Sequence, residues 1–329
     1  MAPSKEISKE LFPYLRVYKD GTIERYAGTE VTAAGLDSQT GVLSKDVSLI
    51  TPQTTISARL YRPYFINNDQ KLPLLVYFHG GAFCIASPAE PRYHHCLNQL
   101  VFQGKIIVVS VDYRLAPEHP LPAAYDDSWA SLQWVFSHVD GGTGTEEWLE
   151  DYADFEQVFL AGDSAGANIA HHLALRMKDS NMQASNKKKQ KLQGIAMIHP
   201  YFWGKDPIGE EANQSEKKSM VDNWWKFVCP SNKGCDDPYI NPFVKGAASL
   251  KELATESVLI FVAERDILCE RGKLYYENLV KSGWQGKAQI VETKGEDHVF
   301  HIFKPDCENA YLLIKRWASY INRSNIGSL

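Results

Sequence analysis

The sequence has few of the features that mark membrane, secreted or nucleic-acid-binding proteins. None of its apolar runs is long enough to span a bilayer, and its first residues, Met-Ala-Pro-Ser-Lys-Glu, lack an apolar signal region. The formal net charge of -5 and the pI of about 6.1 leave no basic surface of the kind that binds nucleic acid. We therefore expect a cytoplasmic protein without a membrane or nucleic-acid partner.

Cysteine is also scarce, and its spacing carries no metal motif. None of the six cysteines forms a Cys-x-x-Cys pair, so a zinc site is not expected. The adjacent histidines at 94–95 and 171–172 lie in predicted helices, where neighbouring side chains point to different faces and do not chelate one ion. Without a secretory signal, all six cysteines are expected to be free thiols. They are Cys84, Cys96, Cys229, Cys235, Cys269 and Cys307.

Apolar runs alternate with amphipathic stretches over most of the chain. Runs typical of buried strands lie at 72–78, 105–112 and 158–163, and further strands are predicted at 192–199, 257–263 and 287–293. Helices are predicted at 92–102, 123–139, 271–282 and 308–321. This alternation predicts an α/β fold with a mostly parallel, doubly wound sheet, in a single domain over residues 1–329.

Two segments depart from this rhythm. Residues 1 to about 43 are mixed in character, with a short helix predicted at 9–18. Residues 201 to about 245 are rich in Trp, Pro, Gly and Asn and have the composition of an insertion. Between the first segment and the regular part of the chain, residues 47–50 and 56–61 predict a hairpin of edge strands.

One motif stands at the junction of a predicted strand and a predicted helix. The apolar run that begins at Val158 leads into Gly162-Asp-Ser164-Ala-Gly166, and apolar residues then recur at helical spacing. A serine forced onto a sharp strand-to-helix turn is the nucleophile elbow of α/β-hydrolases. The turn leaves room only for small flanking residues, which accounts for both glycines. Ser164 is therefore a candidate nucleophile.

Three further polar groups follow predicted strands, where sites form in open α/β sheets. They are the His79 loop, Asp266 and His298, and with Ser164 they give the chain order serine, acid, histidine of the hydrolases. A serine hydroxyl needs a base to remove its proton, a histidine can do this near neutral pH, and an acid orients the histidine. Glu264 and Glu270 are rival acids for Asp266, and His301 is a rival base for His298.

Four motifs together carry a resemblance to a known family. They are His79-Gly-Gly-Ala, Asp112-Tyr-Arg-Leu-Ala-Pro-Glu118, Gly162-Asp-Ser-Ala-Gly166 and Glu296-Asp-His-Val-Phe-His301. With them, nearly the whole chain resembles the plant carboxylesterases of the hormone-sensitive-lipase-like group. The resemblance implies an α/β-hydrolase fold: a mostly parallel eight-stranded sheet flanked by helices, with a helical cap from about 1–43 and about 201–245. It also implies a cytosolic esterase without metal or cofactor.

The resemblance also implies roles for individual residues. Ser164, His298 and Asp266 would be nucleophile, base and orienting acid, and His79 would hold the glycine loop. Backbone N–H groups would bind the oxyanion, and alanine at 82, where many members have a third glycine, would serve if its φ is negative. The residues assigned to the oxyanion hole are Gly80, Gly81, Ala82 and Ala165.

Side chains outside this machinery are expected in two groups. Asp112, Arg114 and Glu118 would form a buried polar network under the site. Aromatic residues in or beside the cap would line a substrate pocket, with plain core as the alternative. The pocket candidates are Phe83, Trp203 and Trp224, while Trp225 and Phe227 share their segment.

We predict a serine carboxylesterase acting on small, fairly apolar esters or on a specialised metabolite of that kind. A second hypothesis is a lyase, because the same group contains 2-hydroxyisoflavanone dehydratases and alkaloid cyclases. Some dehydratases carry threonine at the position of Ser164. A third hypothesis is a receptor, since the gibberellin receptors share the fold but lack the histidine at the position of His298. The sequence does not indicate an oligomeric state.

Overall fold

Two β-sheets organise the protein, a small one near the N-terminus and a large one that carries the site. The computed structural model describes residues 6–50, 55–67, 70–139, 144–179 and 191–322. The small sheet is antiparallel and consists of β1 (Ile7–Leu11), β2 (Leu15–Tyr18) and β3 (Ile23–Arg25).

The large sheet has nine strands in the order β12-β11-β10-β9-β7-β8-β6-β5-β4. The six strands from β12 to β8 run parallel, and β6, β5 and β4 continue the sheet in antiparallel fashion. Parallel strands bring their carboxyl ends to one edge, which is where the candidate side chains lie. The strands are β4 (Leu36–Asp37), β5 (Val42–Ile50), β6 (Thr55–Pro63), β7 (Leu72–Phe78), β8 (Ile107–Asp112), β9 (Ala153–Asp163), β10 (Gly194–Ile198), β11 (Ser257–Ala263) and β12 (Lys287–Thr293).

Helices cover both faces of this sheet. The helices are α1 (Pro91–Gly104), α2 (Ala123–Phe136), α3 (Glu147–Tyr152), α4 (Ala165–Asp179), α5 (Ser215–Val228), α6 (Cys269–Lys281), α7 (Phe300–Phe303) and α8 (Glu308–Asn322). All seven residues of β7 are buried, and they alternate between two cores. Leu74 and Val76 pack with α2, α4 and α6, whereas Leu75 and Tyr77 pack with α1 and α8. Among the helices that the structure describes, none combines the length and apolarity needed to cross a membrane.

The predicted α/β class is confirmed, with differences at the antiparallel end. The sheet has nine strands rather than eight because the two residues of β4 pair with the start of β5. The predicted hairpin is present as β5 and β6, but β6 is not at the edge, since it pairs with β8. The helix predicted at 9–18 is wrong. Pro13 interrupts it, and β1 and β2 pair on either side of the Phe12-Pro13 turn.

The irregular segment 201–245 contains α5 and two short 3-10 turns, Gly209–Asn213 and Gly234–Asp236. It is joined to the core by a buried ion pair, in which the Arg271 Nε on α6 lies 2.6 Å from the Glu211 Oε1. The N-terminal sheet is joined nearby. The Arg25 guanidinium donates to the carbonyl of Cys84 at 2.8 Å and pairs with Glu118 at 2.6 Å. Both segments are thus attached next to the carboxyl edge of the sheet.

Candidate active site

Ser164 lies on the turn between β9 and α4 with a φ of +51°, in the left-handed region. Its N–H donates to the Ile198 carbonyl of the neighbouring strand at 2.9 Å, which fixes the turn against the sheet. A Cβ on Gly162 would lie 2.3 Å from the Gly166 backbone, and one on Gly166 would lie 1.8 Å from the Phe78 carbonyl oxygen. The turn therefore requires glycine on both sides of the serine.

Ser164, His298 and Asp266 form a continuous hydrogen-bonded chain. The His298 Nε2 lies 3.0 Å from the Ser164 Oγ, and the Nδ1 lies 2.7 Å from the Asp266 Oδ2. Asp266 is 5% exposed, and its Oδ1 accepts the N–H of Leu268 at 2.9 Å. Because the carboxylate only accepts, it holds a proton on Nδ1 and leaves Nε2 free to accept the serine proton.

The rival residues lie elsewhere. Glu264 accepts the N–H of Gly295 at 2.8 Å and pairs with Lys294 at the surface. Glu270 pairs with Lys273 along α6. His301 is buried in α7, and neither of its ring nitrogens has a hydrogen-bond partner among the described residues. Of the three candidate acids, only Asp266 hydrogen-bonds to the ring of His298.

Charge around His298 favours the imidazolium that proton transfer creates. Burial by itself lowers the pKa of His298, but the charge and hydrogen bond of Asp266, followed by the charges of Asp163 and Asp297, outweigh it. The pKa of His298 is therefore raised above 6.5. Asp163 is fully buried next to Ser164, and burial raises its pKa to about 6 against the opposing hydrogen bonds of two tyrosine hydroxyls.

A second buried histidine supports this region, although sequence reasoning gave it no role. The His199 Nδ1 accepts the N–H of Val299 at 2.7 Å and so holds the residue that follows His298. The ligand atoms of His199, Asp266 and His298 all lie within 4.8 Å of one another. They are the three metal-ligating side chains that cluster within the described residues. Their mutual hydrogen bond and the contact to Val299 already occupy one atom of each, which leaves a poor donor set for an ion.

The loop after β7 directs the N–H of Gly81 by fixing the other side of the same peptide. The Gly80 carbonyl accepts from the His79 Nδ1 at 2.8 Å. The Tyr113 ring stacks on His79 at 4.3 Å, and its hydroxyl donates to the His79 carbonyl at 2.7 Å. Because a trans peptide is planar, holding the Gly80 carbonyl turns the N–H of Gly81 the opposite way.

The N–H of Ala82 is directed in the same manner. The Gly81 carbonyl accepts the N–H groups of Cys84 at 3.0 Å and Ile85 at 3.1 Å. Gly81 and Ala82 line the cavity at Ser164, and Ala165 follows this serine at the first turn of α4. Within the described part of the chain, the N–H groups of Gly81, Ala82 and Ala165 donate to no protein acceptor. They are available to an anionic oxygen.

Two expectations for this loop are corrected. Gly80 does not offer its N–H to the site, because that group donates to the Tyr93 hydroxyl at 3.0 Å. Glycine is needed there for space, since a Cβ would lie 2.3 Å from the Asp163 Oδ2. The condition of a negative φ at Ala82 is not met either. Its φ is +50°, a conformation that costs an L-residue about 1–2 kcal/mol.

The cavity at Ser164 has two compartments, of about 110 and about 380 Å³. Ser164 and His298 line both, as do Tyr14 and Trp224. The rings of Tyr14 and Trp224, from the N-terminal segment and α5, meet edge to face at 5.1 Å beside Ser164. A ligand bound at Ser164 would therefore have room on both sides of this residue.

Of the three predicted pocket residues, only Trp224 lines this cavity. Phe83 is fully buried and packs against Tyr125 and Trp225. Trp203 is also fully buried, because Arg271 covers its ring and its Nε1 donates to the Asp222 carboxylate at 2.6 Å. Both belong to the core. Sequence reasoning missed Tyr14, which lies in the segment wrongly predicted as a helix.

The expected polar network under the site does not form either. Asp112 accepts from the Ser57 hydroxyl at 2.6 Å, Arg114 pairs with Asp127 at 2.7 Å, and Glu118 pairs with Arg25. The three side chains have separate partners: Asp112 ends β8 and bonds to the neighbouring strand β6, whereas Arg114 and Glu118 lie in the loop that follows and bond to α2 and to the N-terminal sheet. The third contact attaches the N-terminal sheet.

Comparison with known proteins agrees with this geometry. A family model described as the alpha/beta hydrolase fold matches residues 75–302. The chain belongs to the α/β-hydrolase family, within the plant carboxylesterase group related to hormone-sensitive lipase. It is 56% identical to a protein of Arabidopsis thaliana named probable carboxylesterase 2, over 97% of this chain and 98% of the other. It is 42% identical to a 2-hydroxyisoflavanone dehydratase of Glycine max, over 97% and 99%.

Solved structures show the same likeness. A hyperthermophilic esterase from the archaeon Pyrobaculum calidifontis superposes with a TM-score of 0.70 over 86% of each chain, at 27% identity. A thermophilic carboxylesterase cloned from a metagenomic library gives 0.70 over 90% of this chain and 92% of the other, at 25% identity. Both are named as esterases, and the Arabidopsis thaliana relative described above is named a probable carboxylesterase.

Proposed function

We propose that this protein is a serine carboxylesterase that hydrolyses small, fairly apolar carboxylic esters through an acyl-enzyme on Ser164. The observation that carries the proposal is the chain from Asp266 through His298 to Ser164, with contacts of 2.7 and 3.0 Å. This hydrogen-bonded chain ends beside the backbone N–H groups of Gly81, Ala82 and Ala165, which donate to no acceptor among the described residues. Nucleophile, base, orienting acid and oxyanion donors in one place are the requirements of acyl transfer.

The mechanism follows from these positions. The Ser164 Oγ attacks the ester carbonyl carbon while the His298 Nε2 takes its proton, and Asp266 stabilises the imidazolium. The carbonyl oxygen becomes anionic and accepts from the N–H groups of Gly81, Ala82 and Ala165. The intermediate collapses as His298 protonates the departing alkoxide. Water then attacks the acyl-enzyme with the same base, and carboxylic acid and Ser164 are released.

The cavity supports the substrate class. Apolar side chains make up much of the lining of its larger compartment, among them Met220, Ile267 and Phe300, so an apolar acyl or aryl group gains binding energy there. We infer that the segments at about 1–43 and 201–245 act as the cap of a single hydrolase domain, since they contribute Tyr14 and Trp224 to the cavity. Residues 1–5 and 323–329 of that domain lie outside the described residues.

We place the protein in the cytoplasm as a proposal. All six cysteines are free, and five of them are buried, which suits a reducing compartment. The assignment is open to test by microscopy of a tagged protein. Relatives include one named mitochondrial and one named chloroplastic, so an organelle signal in that experiment would replace it.

A lyase remains the second candidate because of the relatives named 2-hydroxyisoflavanone dehydratase, which are 42% and 43% identical to this chain. The same base and oxyanion donors can transfer protons in an elimination. A receptor is disfavoured, since His298 is present and lies within hydrogen-bond distance of Ser164.

One experiment separates the candidates. The purified protein is incubated with short-chain aryl esters and, separately, with a 2-hydroxylated flavanone, and both products are followed. The esterase proposal predicts turnover of the esters that is lost in Ser164→Ala. Dehydration without ester turnover would favour the lyase, and binding without either reaction would favour the receptor.

A further inference from the structure

Asp163 is a buried carboxylate beside the nucleophile that the proposed mechanism does not use. It is 0% exposed, and no lysine or arginine of the described residues forms an ion pair with it. Its Oδ1 accepts from the Tyr77 hydroxyl at 2.6 Å, and its Oδ2 accepts from the Tyr93 hydroxyl at 2.9 Å. A buried acid held only by neutral donors is costly to the fold, which raises the question of what it does there.

One of the two tyrosines links Asp163 to the oxyanion loop. The Tyr93 oxygen accepts the N–H of Gly80 at 3.0 Å, while its hydroxyl hydrogen goes to Asp163. A carboxylate only accepts, so it forces Tyr93 to donate toward Asp163 and to present a lone pair to Gly80. The loop also rests on the carboxylate, because a Cβ on Gly80 would lie 2.3 Å from the Asp163 Oδ2.

We propose that Asp163 and Tyr93 are positioning residues that set the oxyanion loop through the N–H of Gly80. This inference rests on the proposed esterase function. Gly80 begins the turn that presents the N–H groups of Gly81 and Ala82, so a shift of its peptide moves both donors. Oxyanion donors act only within a narrow range of distance, which makes such a shift visible in the rate.

Tyr77 supplies a matched control. It donates to the same carboxylate at 2.6 Å, is also buried and loses the same hydroxyl on mutation to phenylalanine. Among the described residues, its hydroxyl makes no hydrogen bond to the loop. A purely structural role of the carboxylate predicts the same kinetic result for both tyrosines, whereas the positioning role predicts a difference.

The test compares Tyr93→Phe and Tyr77→Phe in the full-length enzyme. The readouts are kcat, KM and the Ki of an aryl trifluoromethyl ketone, whose serine adduct places an oxyanion in the hole. We expect Tyr93→Phe to lower kcat by about tenfold or more, with KM within about twofold and Ki weakened in step. Tyr77→Phe should change kcat by less than about threefold. Equal effects of the two variants, or an effect of Tyr93→Phe on KM alone, would overturn the inference.

A second variant covers the case in which Tyr93→Phe does not fold. Asp163→Asn keeps the shape but can turn an NH₂ group toward the Tyr93 oxygen, which leaves the hydroxyl hydrogen without its acceptor. It should also lower kcat with little change in KM, and unchanged kcat and Ki would overturn the inference. Failure of the proposed function looks different, because wild-type protein would then turn over no ester.

Discussion

The amide variant Asp266→Asn tests how the acid controls His298. The Asp266 Oδ1 accepts the Leu268 N–H at 2.9 Å, and its Oδ2 accepts the His298 Nδ1–H at 2.7 Å. An amide has one oxygen, which can occupy only one of these two positions, so it cannot accept from both the Leu268 N–H and the His298 Nδ1–H. If the oxygen keeps the buried backbone N–H, the NH₂ group faces Nδ1 and forces it to accept. The ring proton then moves to Nε2, the nitrogen that must take the proton of Ser164.

The expected loss of kcat in Asp266→Asn is large because the His298 ring would keep its position but carry its proton on the wrong nitrogen. A serine hydrolase with the corresponding amide loses a factor of about 10⁴ in kcat with its geometry intact. At 1.36 kcal/mol for each tenfold change, this is about 5.4 kcal/mol of transition-state stabilisation. Removing the charge also lowers the pKa of His298, since the charge of Asp266 is what most raises it. The acidic limb of the remaining activity should therefore move to lower pH.

The assay is kcat/KM for a short-chain aryl ester, corrected for the active fraction by titration with a phosphonate. Glu264→Gln is the matched control, because its amide oxygen can still accept the Gly295 N–H and its side chain lies at the surface. The control should stay within about threefold of wild type. Asp266→Asn within tenfold of wild type, or an equal loss in the control, would refute the reasoning.

Three further predictions follow from the site and its surroundings. For wild type, kcat/KM should fall as the pH drops, with a midpoint above pH 6.5, because His298 must be neutral to act as the base and its pKa is raised. A midpoint at or below pH 6.5 in the initial-rate profile would contradict this. Trp224→Ala should change the ratio of kcat/KM between long and short acyl esters by roughly tenfold. The rate of phosphonate labelling at Ser164 should stay near that of the wild type. Equal losses of kcat/KM for every ester would mean that Trp224 only stabilises the fold. Burial lowers the pKa of His301 to about 3 in the folded protein, whereas an unfolded histidine has a pKa of about 6.5. Between these two pH values the unfolded chain binds one more proton than the folded protein. The free energy of unfolding should therefore decrease as the pH drops, by roughly 1.4 kcal/mol per pH unit. His301→Leu should flatten this dependence in urea unfolding, and identical slopes would argue against it.

Local sequence patterns were sufficient for the parallel half of the sheet. β7, β11 and β12 have the predicted bounds. β7 and β11 are apolar runs buried on both faces, a pattern that depends on neighbours in the chain, whereas β12 is a half-buried strand at the edge of the sheet. The site could be predicted for the same reason, since its groups directly follow strands. The N-terminal segment could not. Pro13 breaks the helical pattern, but the β1–β2 pairing that replaces it depends on tertiary contacts.

The finer parts of the site depend on orientation, which the sequence does not encode locally. Trp203 and Trp224 lie in the same aromatic-rich segment, 201–245, yet only Trp224 lines the cavity. Arg271 and the Asp222 carboxylate hold Trp203 in the core. The positive φ of Ala82 is set by hydrogen bonds of the loop rather than by the residue itself. Tyr93 lies in a helix far from the motif, and no spacing rule connects it to Gly80.

The central claim is that Ser164 forms a covalent acyl-enzyme. The most direct measurement is the mass of the intact protein after treatment with a fluorophosphonate, followed by peptide mapping. We predict a single adduct on Ser164, loss of ester turnover in proportion to labelling, and no adduct in Ser164→Ala. An adduct on another residue, or continued ester hydrolysis by the Ser164→Ala protein, would contradict the account.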